Sequence, residues 1–532
     1  MKNLLQLLAC LFFLSGCGVE KPIDPKGDEL DVLSAAVQVA PVECHVSDYT
    51  MNSWLMPDPV TQLGAVPVKG KPVTPANKQA GTSQNCDFHI FSWQWFLYLM
   101  SPSQAVSNLR NFEDRSLYPV VDLDTCASVE AGLNGVGRTH GLTASVLKVM
   151  TMPDIPGQAG FGDALYDKNT NIVFYNRSFT KNECGVFNSG NFPNAAGVNA
   201  NFPTGVNQVV ELKSSWRIME PNDDISRYYV IQADIEGIGR KDLGMVGFHI
   251  VVNTGAHPEF IWATFEHVDN APDCTVITPE QGFTRAQPAT GWSFASNSCN
   301  VCIAENFKNG ADLTSLCKSQ CDFNANASKP VYDSKGNVMI NGAVGQGSSN
   351  ICLDAYYGDM PTPKNASNVP NIQFLNTLLV GPSGIVTNLP ATNPMAVFKH
   401  YFLGGAEWTD MTKITKPSQK FDTEIVGSTY LANSTLESYT QAGADFTNGC
   451  FTCHAGASND NTAAASHLLT ASSGKAPGLI NRCNVKAGPI YSNEQAQQVC
   501  PSVCESAMGW NNHWTSISSQ MSVCGCNACP SQ

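Results

Sequence analysis

Apolar residues fall in blocks along this chain, and the period of the blocks changes with position. From Cys86 to Met100 the sequence reads CDFHIFSWQWFLYLM and stops at Ser101-Pro102. A dense aromatic and aliphatic block of this length predicts a buried helix. His89 within it reads as a hydrogen-bonded core residue, with metal ligation as the alternative. Between 140 and 270 the pattern is that of strands. Asn171–Tyr175, Gln208–Leu212, Tyr228–Gln232, Met245–Val252 and Phe260–Phe265 are short and rich in β-branched and aromatic residues, with Gly, Pro and Asn between them. Ile372–Val380 is expected to be a further strand, and Met395–Leu403 leads on from it. Residues 18–40 have no apolar period, only Pro22, Pro25 and a mixed-charge Lys-Gly-Asp-Glu run, and read as a tether. Residues 56–85 are loop-like, and folding is expected to begin near Cys44. The prediction is an α+β multidomain chain of about two to four domains. A β-rich N-terminal body (41–405) carries a Cys-rich insertion (299–352). A small helical segment (406–475) and a small α+β module (478–532) follow.

The helical segment is organised around Cys450-Phe451-Thr452-Cys453-His454. Two thiols separated by two residues, with a histidine directly after, form the attachment signature of a c-type haem. Thioethers from Cys450 and Cys453 would fix the porphyrin to one turn, and the His454 imidazole would reach the iron as proximal ligand. Asn448-Gly449 before the motif and Ala455-Gly456-Ala457 after it let backbone approach a flat macrocycle. Haem c is therefore the expected cofactor of this segment. A disulfide hairpin that happens to precede a histidine is the alternative.

The first residues bear on that choice. Lys2 is followed by an apolar stretch from Leu4 to Leu14 and then Leu14-Ser15-Gly16-Cys17. The stretch is too short to span a bilayer, so residues 1–17 are expected to be removed. The pattern resembles the lipobox of bacterial lipoproteins, which implies that Cys17 becomes a lipidated first residue and anchors the chain to a membrane. Gly18 follows it, not the aspartate that retains lipoproteins at the inner membrane. The resemblance thus implies the outer membrane, on its periplasmic side or at the cell surface. A plain secretory signal is the alternative. Either route carries the chain to the compartment where haem is attached to cysteines.

Composition agrees with export. Charged residues make up 14% of the chain, against about 25% in an average soluble protein. The net charge of −14 makes nucleic acid and anionic lipid poor partners. Of the twenty cysteines, Cys10 leaves with the signal segment, Cys17 takes lipid, and Cys450 and Cys453 take haem. The sixteen that remain are enough for eight disulfides in an oxidising compartment. Cys299, Cys302, Cys317 and Cys321 have spacing that suits either a tetrahedral zinc site or two disulfide staples, and the compartment favours staples.

In the β-rich body, Glu211, Lys213, Trp216, His249, Glu266 and His267 stand out. Glu211 and Lys213 face the same way on a strand and either line a cleft or form a solvated face. His249, His257 and His267 together lack the spacing of a metal site. Three stretches, FSWQWFLYLM, VVELKSSWRIM and GMVGFHIVVNTGAHPEFIWATFEHVDNAPD, occur with TYLANSTLESY before the haem motif. The combination resembles a group of exported bacterial proteins that carry a single C-x-x-C-H near the C-terminus. The likeness covers about residues 86–470 and implies no defined reaction.

Gly474–Gly478 is a linker, and the chain changes character after it. Asn493 can cap a helix that begins at Glu494. Cys500 and Cys504 lie on one face of that helix, and Cys524 and Cys526 on one face of a strand. Two helix-to-strand disulfides would hold so small a module together, and Cys483 and Cys529 could pair beside it. Tyr491, Trp510 and Trp514 offer rings for the C–H face of a pyranose, and Asn493, Asn511 and Thr515 offer hydrogen bonds to its hydroxyls. The runs 487–504, 510–515 and 521–526 closely resemble the mannan-binding lectin repeat of cyanobacteria. The resemblance implies a helix packed on an antiparallel sheet that binds the mannose–N-acetylglucosamine core of glycans. Tyr491 stands where the family often has Trp, Asn512 for a Gly and His513 for a Gln, and these positions bear on which glycan is preferred.

Three functions fit. One is a monohaem redox protein held near a mannose- or N-acetylglucosamine-containing glycan. The second is a haem-dependent oxidase or peroxidase with an open iron site, and the third a non-enzymatic glycan-binding lipoprotein with structural haem. The sixth iron ligand separates the first two, with His467, Met411, Met395 or a histidine of the body as candidates. The sequence names no redox partner.

Overall fold

The computed structural model describes residues 44, 85–103, 109–114, 117–118, 159, 164–180, 183, 208–235, 239–254, 257, 259–276, 283–325, 347–354, 368–410, 425–429, 431–439, 441, 450–451, 483–505, 510–518 and 521–526. The predicted apolar helix is present as α1, Asn85–Met100. Its apolar residues cover most of its circumference: Trp93, Trp95, Phe96, Leu97, Leu99 and Met100 are fully buried, and only the face of Asp87, Ile90, Gln94 and Tyr98 is half-buried. Its serines cope with burial by bonding back, Ser92 to the Phe88 carbonyl and Ser101 to that of Leu97. A disulfide from Cys44 to Cys86 ties the start of the described chain to the first turn of α1.

Seven strands form an antiparallel sheet: β1 (Phe174–Phe179), β2 (Val210–Ile218), β3 (Val230–Ile235), β4 (Gly239–Val252), β5 (Ile261–His267), β6 (Tyr401–Thr409) and β7 (Ile425–Gly427). The order is β1-β2-β4-β5-β6-β7, and β3 pairs with the N-terminal half of the long β4. The five stretches expected to be strands overlap β1 to β5, with boundaries shifted by a few residues. The insertion after β5 folds as two short helices, α2 (Asn297–Asn306) and α3 (Leu313–Leu316). Disulfides Cys299–Cys321 and Cys302–Cys317 staple them. Zinc is thereby excluded at these four thiols. Cys274–Cys352 closes the base of the insertion.

The expected strand over 372–380 is instead part of helix α4, Asn368–Val380. Ile372, Leu375 and Leu379 are three and four residues apart, so they share a helix face, and all three are fully buried. Asn376 on α4 exchanges hydrogen bonds with the backbone of Leu403, donating to its carbonyl and accepting from its N–H, both at 3.0 Å. α1 and α4 cover one face of the sheet. There Phe96 stacks on Phe265 at 4.1 Å and Phe88 stacks on Trp408 at 4.0 Å. The expected boundary at residue 405 falls inside β6. Residues up to 409, together with β7, complete the sheet, because YFLGGAEWT continues the strand without a break.

His89 is a core residue, its Nε2 2.5 Å from Asn368 Oδ1. Burial pushes its pKa from 6.5 down to about 4, against the Asn368 hydrogen bond. The folded state therefore binds this proton more weakly than the unfolded chain. The stability this neutral imidazole contributes is present above pH 6.5 and is lost as pH falls toward 4. His89→Gln is expected to remove about 2 kcal/mol of the stability difference between pH 7 and pH 5. Urea midpoints of both proteins at the two pH values check this.

Candidate functional site

The second face of the sheet is polar, and it is buried. Glu211 and Lys213 are 3% and 4% exposed, so neither belongs to a solvated face. Residues 431–439 lie over this face and bind it through side chains. Ser215 and Thr435 share a hydrogen bond of 2.6 Å, and Asn433 donates to Thr264 Oγ1 at 2.8 Å. Ser434 donates its backbone N–H and its hydroxyl to Glu266. Burial raises Glu266 to a pKa of about 7 against these bonds. Glu437 meets Lys213 Nζ at 3.8 Å and His249 Nε2 at 3.3 Å. Burial alone would raise Glu437, but His249 and Lys213 outweigh it and hold the carboxyl below its usual value. Trp216 turns to the helix-covered face and donates to Ser214 Oγ at 2.8 Å. His267 stacks on Tyr228 at 3.9 Å, pairs through Nε2 with the Arg227 carbonyl, and accepts from Asp269 N–H at Nδ1. The histidines of the body thus have separate partners. Among the described residues no group of three or more His, Cys, Asp or Glu can hold a metal ion.

The C-x-x-C-H run begins on this same face. Cys450 and Phe451 are described and helical; Cys453 and His454 lie outside the described residues, as do Cys17, Met411 and His467. Phe451 is buried with Val209, Val251, Phe260 and Trp262, its ring 5.8 Å from that of Trp262. Trp262 faces Glu407 across the β5–β6 ladder. The Glu407 carboxylate accepts the N–H of Cys450 at 2.5 Å and also that of Phe451. A carboxylate on the first N–H groups of a helical turn satisfies donors that have no partner within the helix. Burial pushes Glu407 up to about pKa 8, against the bonds from the Cys450 N–H, the Cys450 thiol and the Phe451 N–H. Its other oxygen, Oε1, is buried with no partner. Sequence reasoning did not single out Glu407, although a lone carboxylate inside the apolar run YFLGGAEWT was the available signal. Met395 precedes β6 at its other end and is packed in the core, where its sulfur meets Arg110 Nη1 at 3.9 Å. Six residues of strand, about 20 Å, separate Tyr401 from Glu407. Met395 lies at the Tyr401 end of β6, away from Glu407 and Cys450.

The β4–β5 loop lies at the same end of the sheet as Glu407. His257 Nδ1 is 2.8 Å from Glu259 Oε1, and both residues are fully buried. Phe260 follows with φ of +77°, a conformation that costs a bulky residue about 1–3 kcal/mol and collects at functional sites. Cys450, the first cysteine of the C-x-x-C-H run, thus sits on an anchored turn beside a buried aromatic cluster.

The C-terminal module is a three-stranded antiparallel sheet with one helix. The strands are β8 (Cys483–Gly488), β9 (Trp510–Ser518) and β10 (Met521–Cys526), in order β8-β10-β9, and the helix is α5 (Asn493–Val503). The cap is one residue earlier than expected: Ser492, not Asn493, accepts from the N–H of Gln495 at 3.2 Å. Its hydroxyl reaches the third helical N–H, which leaves Asn493 as the first helical residue. Cys500 is bridged to Cys524, so helix is clipped to strand, and Cys504 is also disulfide-bonded. These cysteines, with Ile490 and Ala496, form the small core, against which Trp510 and Trp514 are half-buried. Tyr491 is 72% exposed at the N-terminus of α5. At Asn493, Asn511, Thr515 and Cys526 only the backbone is described.

Residues 493–526 match the family model of mannan-binding protein. The mannan-binding match thus runs from the first residue of α5 to the last of β10. It covers the disulfide-clipped helix and two of the three strands. No curated protein and no solved structure matches the chain.

Proposed function

We propose that this chain is an exported, membrane-anchored protein that binds a mannose-type glycan through residues 478–532 and carries one covalent haem c for electron transfer. The match over 493–526, on a helix clipped to a sheet beside an exposed tyrosine, is the observation that carries the glycan reading. The Tyr491 ring covers the C–H face of one sugar. Trp510 and Trp514 offer further rings, and Asn493, Asn511 and Thr515 bind hydroxyls. One shallow site of this kind, with about four hydrogen bonds and one stacked ring, binds in the millimolar to micromolar range. Several copies on one membrane would raise the avidity. An array of mannose- and N-acetylglucosamine-containing glycans, probed with the whole protein, tests this reading.

The haem reading rests on Cys450, Cys453 and His454 and is supported by the seat of the motif's first turn. Cys450 and Cys453 would hold the macrocycle and His454 the iron, and a bound haem supplies one-electron exchange. Glu407 orients the first turn through two N–H groups, while Trp262, Phe260 and Val251 keep water from Phe451. Anchoring rests on Cys17. Cys17→Ser is expected to block removal of residues 1–17 as a lipoprotein signal and to release the protein from membranes. Unchanged membrane fractionation of that variant would contradict lipidation.

A further inference from the structure

We propose that Cys450 is a reactive thiol that exchanges with disulfides, and that Glu407 takes up and returns its proton. The inference does not rest on haem. Where haem is attached it describes the chain before attachment, and where none is attached it describes the chain itself. Cys450 carries a thiol and is half-buried, whereas Glu407 is fully buried. The thiol and the N–H of Cys450 both donate to the Glu407 carboxylate, and the Phe451 N–H joins them. The N–H bonds alone do not call for a carboxyl. A glutamine would accept from the same groups without the cost of burying an ionisable one. The second oxygen, Oε1, is buried and has no partner, and each such atom in a native protein calls for a reason. Proton exchange supplies one, because a carboxyl in this place can hold the thiol's proton and an amide cannot. No other charge competes for it. The ladder neighbours of Glu407, Trp262 on β5 and Gly427 on β7, are uncharged. Glu211, Lys213 and His249 share the face but stand on β2 and β4, two or three strands away. Glu259 in the β4–β5 loop is engaged by His257. Burial therefore sets the Glu407 carboxyl, at about 8, close to the value of about 8.5 for an ordinary thiol. A proton passes readily between groups matched in this way. In the step itself the Cys450 proton moves to Glu407, and the thiolate attacks one sulfur of an incoming disulfide. The new bond joins Cys450 to that sulfur, the old S–S bond breaks, and the departing thiolate takes the proton from Glu407.

The test is the rate at which glutathione disulfide forms a mixed disulfide at Cys450, read by peptide mass from about pH 6 to about pH 9. The protein is the full chain, exported in cells without haem-attachment machinery, with Cys453→Ser to remove the neighbouring thiol. Exchange is expected, with two ionisations in its pH profile, because the thiol and the carboxyl titrate as a pair. Glu407→Gln keeps an acceptor for both N–H groups. It is expected to slow exchange at least about tenfold at neutral pH and to leave a single ionisation. No mixed disulfide at Cys450, or the same rate and profile in Glu407→Gln, overturns the inference. Should the glutamine variant fail to fold, Glu407→Asp keeps the carboxyl, draws it back by one methylene and is expected to slow exchange. An unchanged rate in that variant overturns the inference as well.

Discussion

Serine in place of both Cys500 and Cys524 is expected to unfold the C-terminal module while the seven-stranded sheet stays intact. Among the described side chains the core of this module is five residues, three of them disulfide-bonded cysteines. So small a core supplies little hydrophobic stabilisation of its own. The Cys500–Cys524 bridge closes a loop of 24 residues between α5 and β10, and losing such a bridge from a small domain costs about 2–5 kcal/mol. That is comparable with everything else holding the module. Glycan binding should disappear with the fold. Near-ultraviolet circular dichroism, which reports Trp510 and Trp514, should show a separate transition at lower temperature. An unchanged melting profile would mean that the module is held by something other than this clip.

Glu407→Leu is expected to reduce covalent haem per chain several-fold, although residue 407 belongs to no haem motif. The substitution leaves the N–H groups of Cys450 and Phe451 without the acceptor they now share. Each buried donor left unsatisfied costs about 1–3 kcal/mol. The first turn of the motif would then leave its seat on Val251 and Trp262, and the two cysteines would lose their fixed presentation. Glu407→Gln keeps an amide oxygen in the same place and should retain most of the loading. Haem content measured against protein concentration for the two variants separates anchoring from any general need for a charge. Equal loading in Glu407→Leu would show that the sheet does not position the motif.

Local pattern made most elements of this fold readable. The α1 block and the strands around Val210–Leu212, Met245–Val252 and Ile261–Phe265 announce themselves through length and period. The four insertion cysteines fitted zinc or two staples, and the disulfides Cys299–Cys321 and Cys302–Cys317 decide for staples. What failed, failed for tertiary reasons. Ile372–Val380 carries apolar residues that suit a strand or a helix, and only packing beside α1 selects the helix. The polarity of Lys213 and Glu211 left a cleft or a solvated face open, and residues 431–439 cover that face from about 200 residues away. Glu407 stood out only as a lone carboxylate in an apolar run; its role was hidden because its partners include the backbone N–H groups of Cys450 and Phe451, which have no side-chain signature. In the small module the aromatic and cysteine positions carried the information, and the cap moved by only one residue.

Glycan binding by the whole protein tests the central claim most directly. Isothermal titration of the disulfide-intact, haem-loaded protein with a mannose–N-acetylglucosamine oligosaccharide is expected to give a Kd in the millimolar to micromolar range. Tyr491→Ala should weaken it by about tenfold, the worth of one stacked ring. No heat of binding with ligand in the several-millimolar range, from protein whose Cys500–Cys524 bridge is confirmed by peptide mapping, would contradict the account.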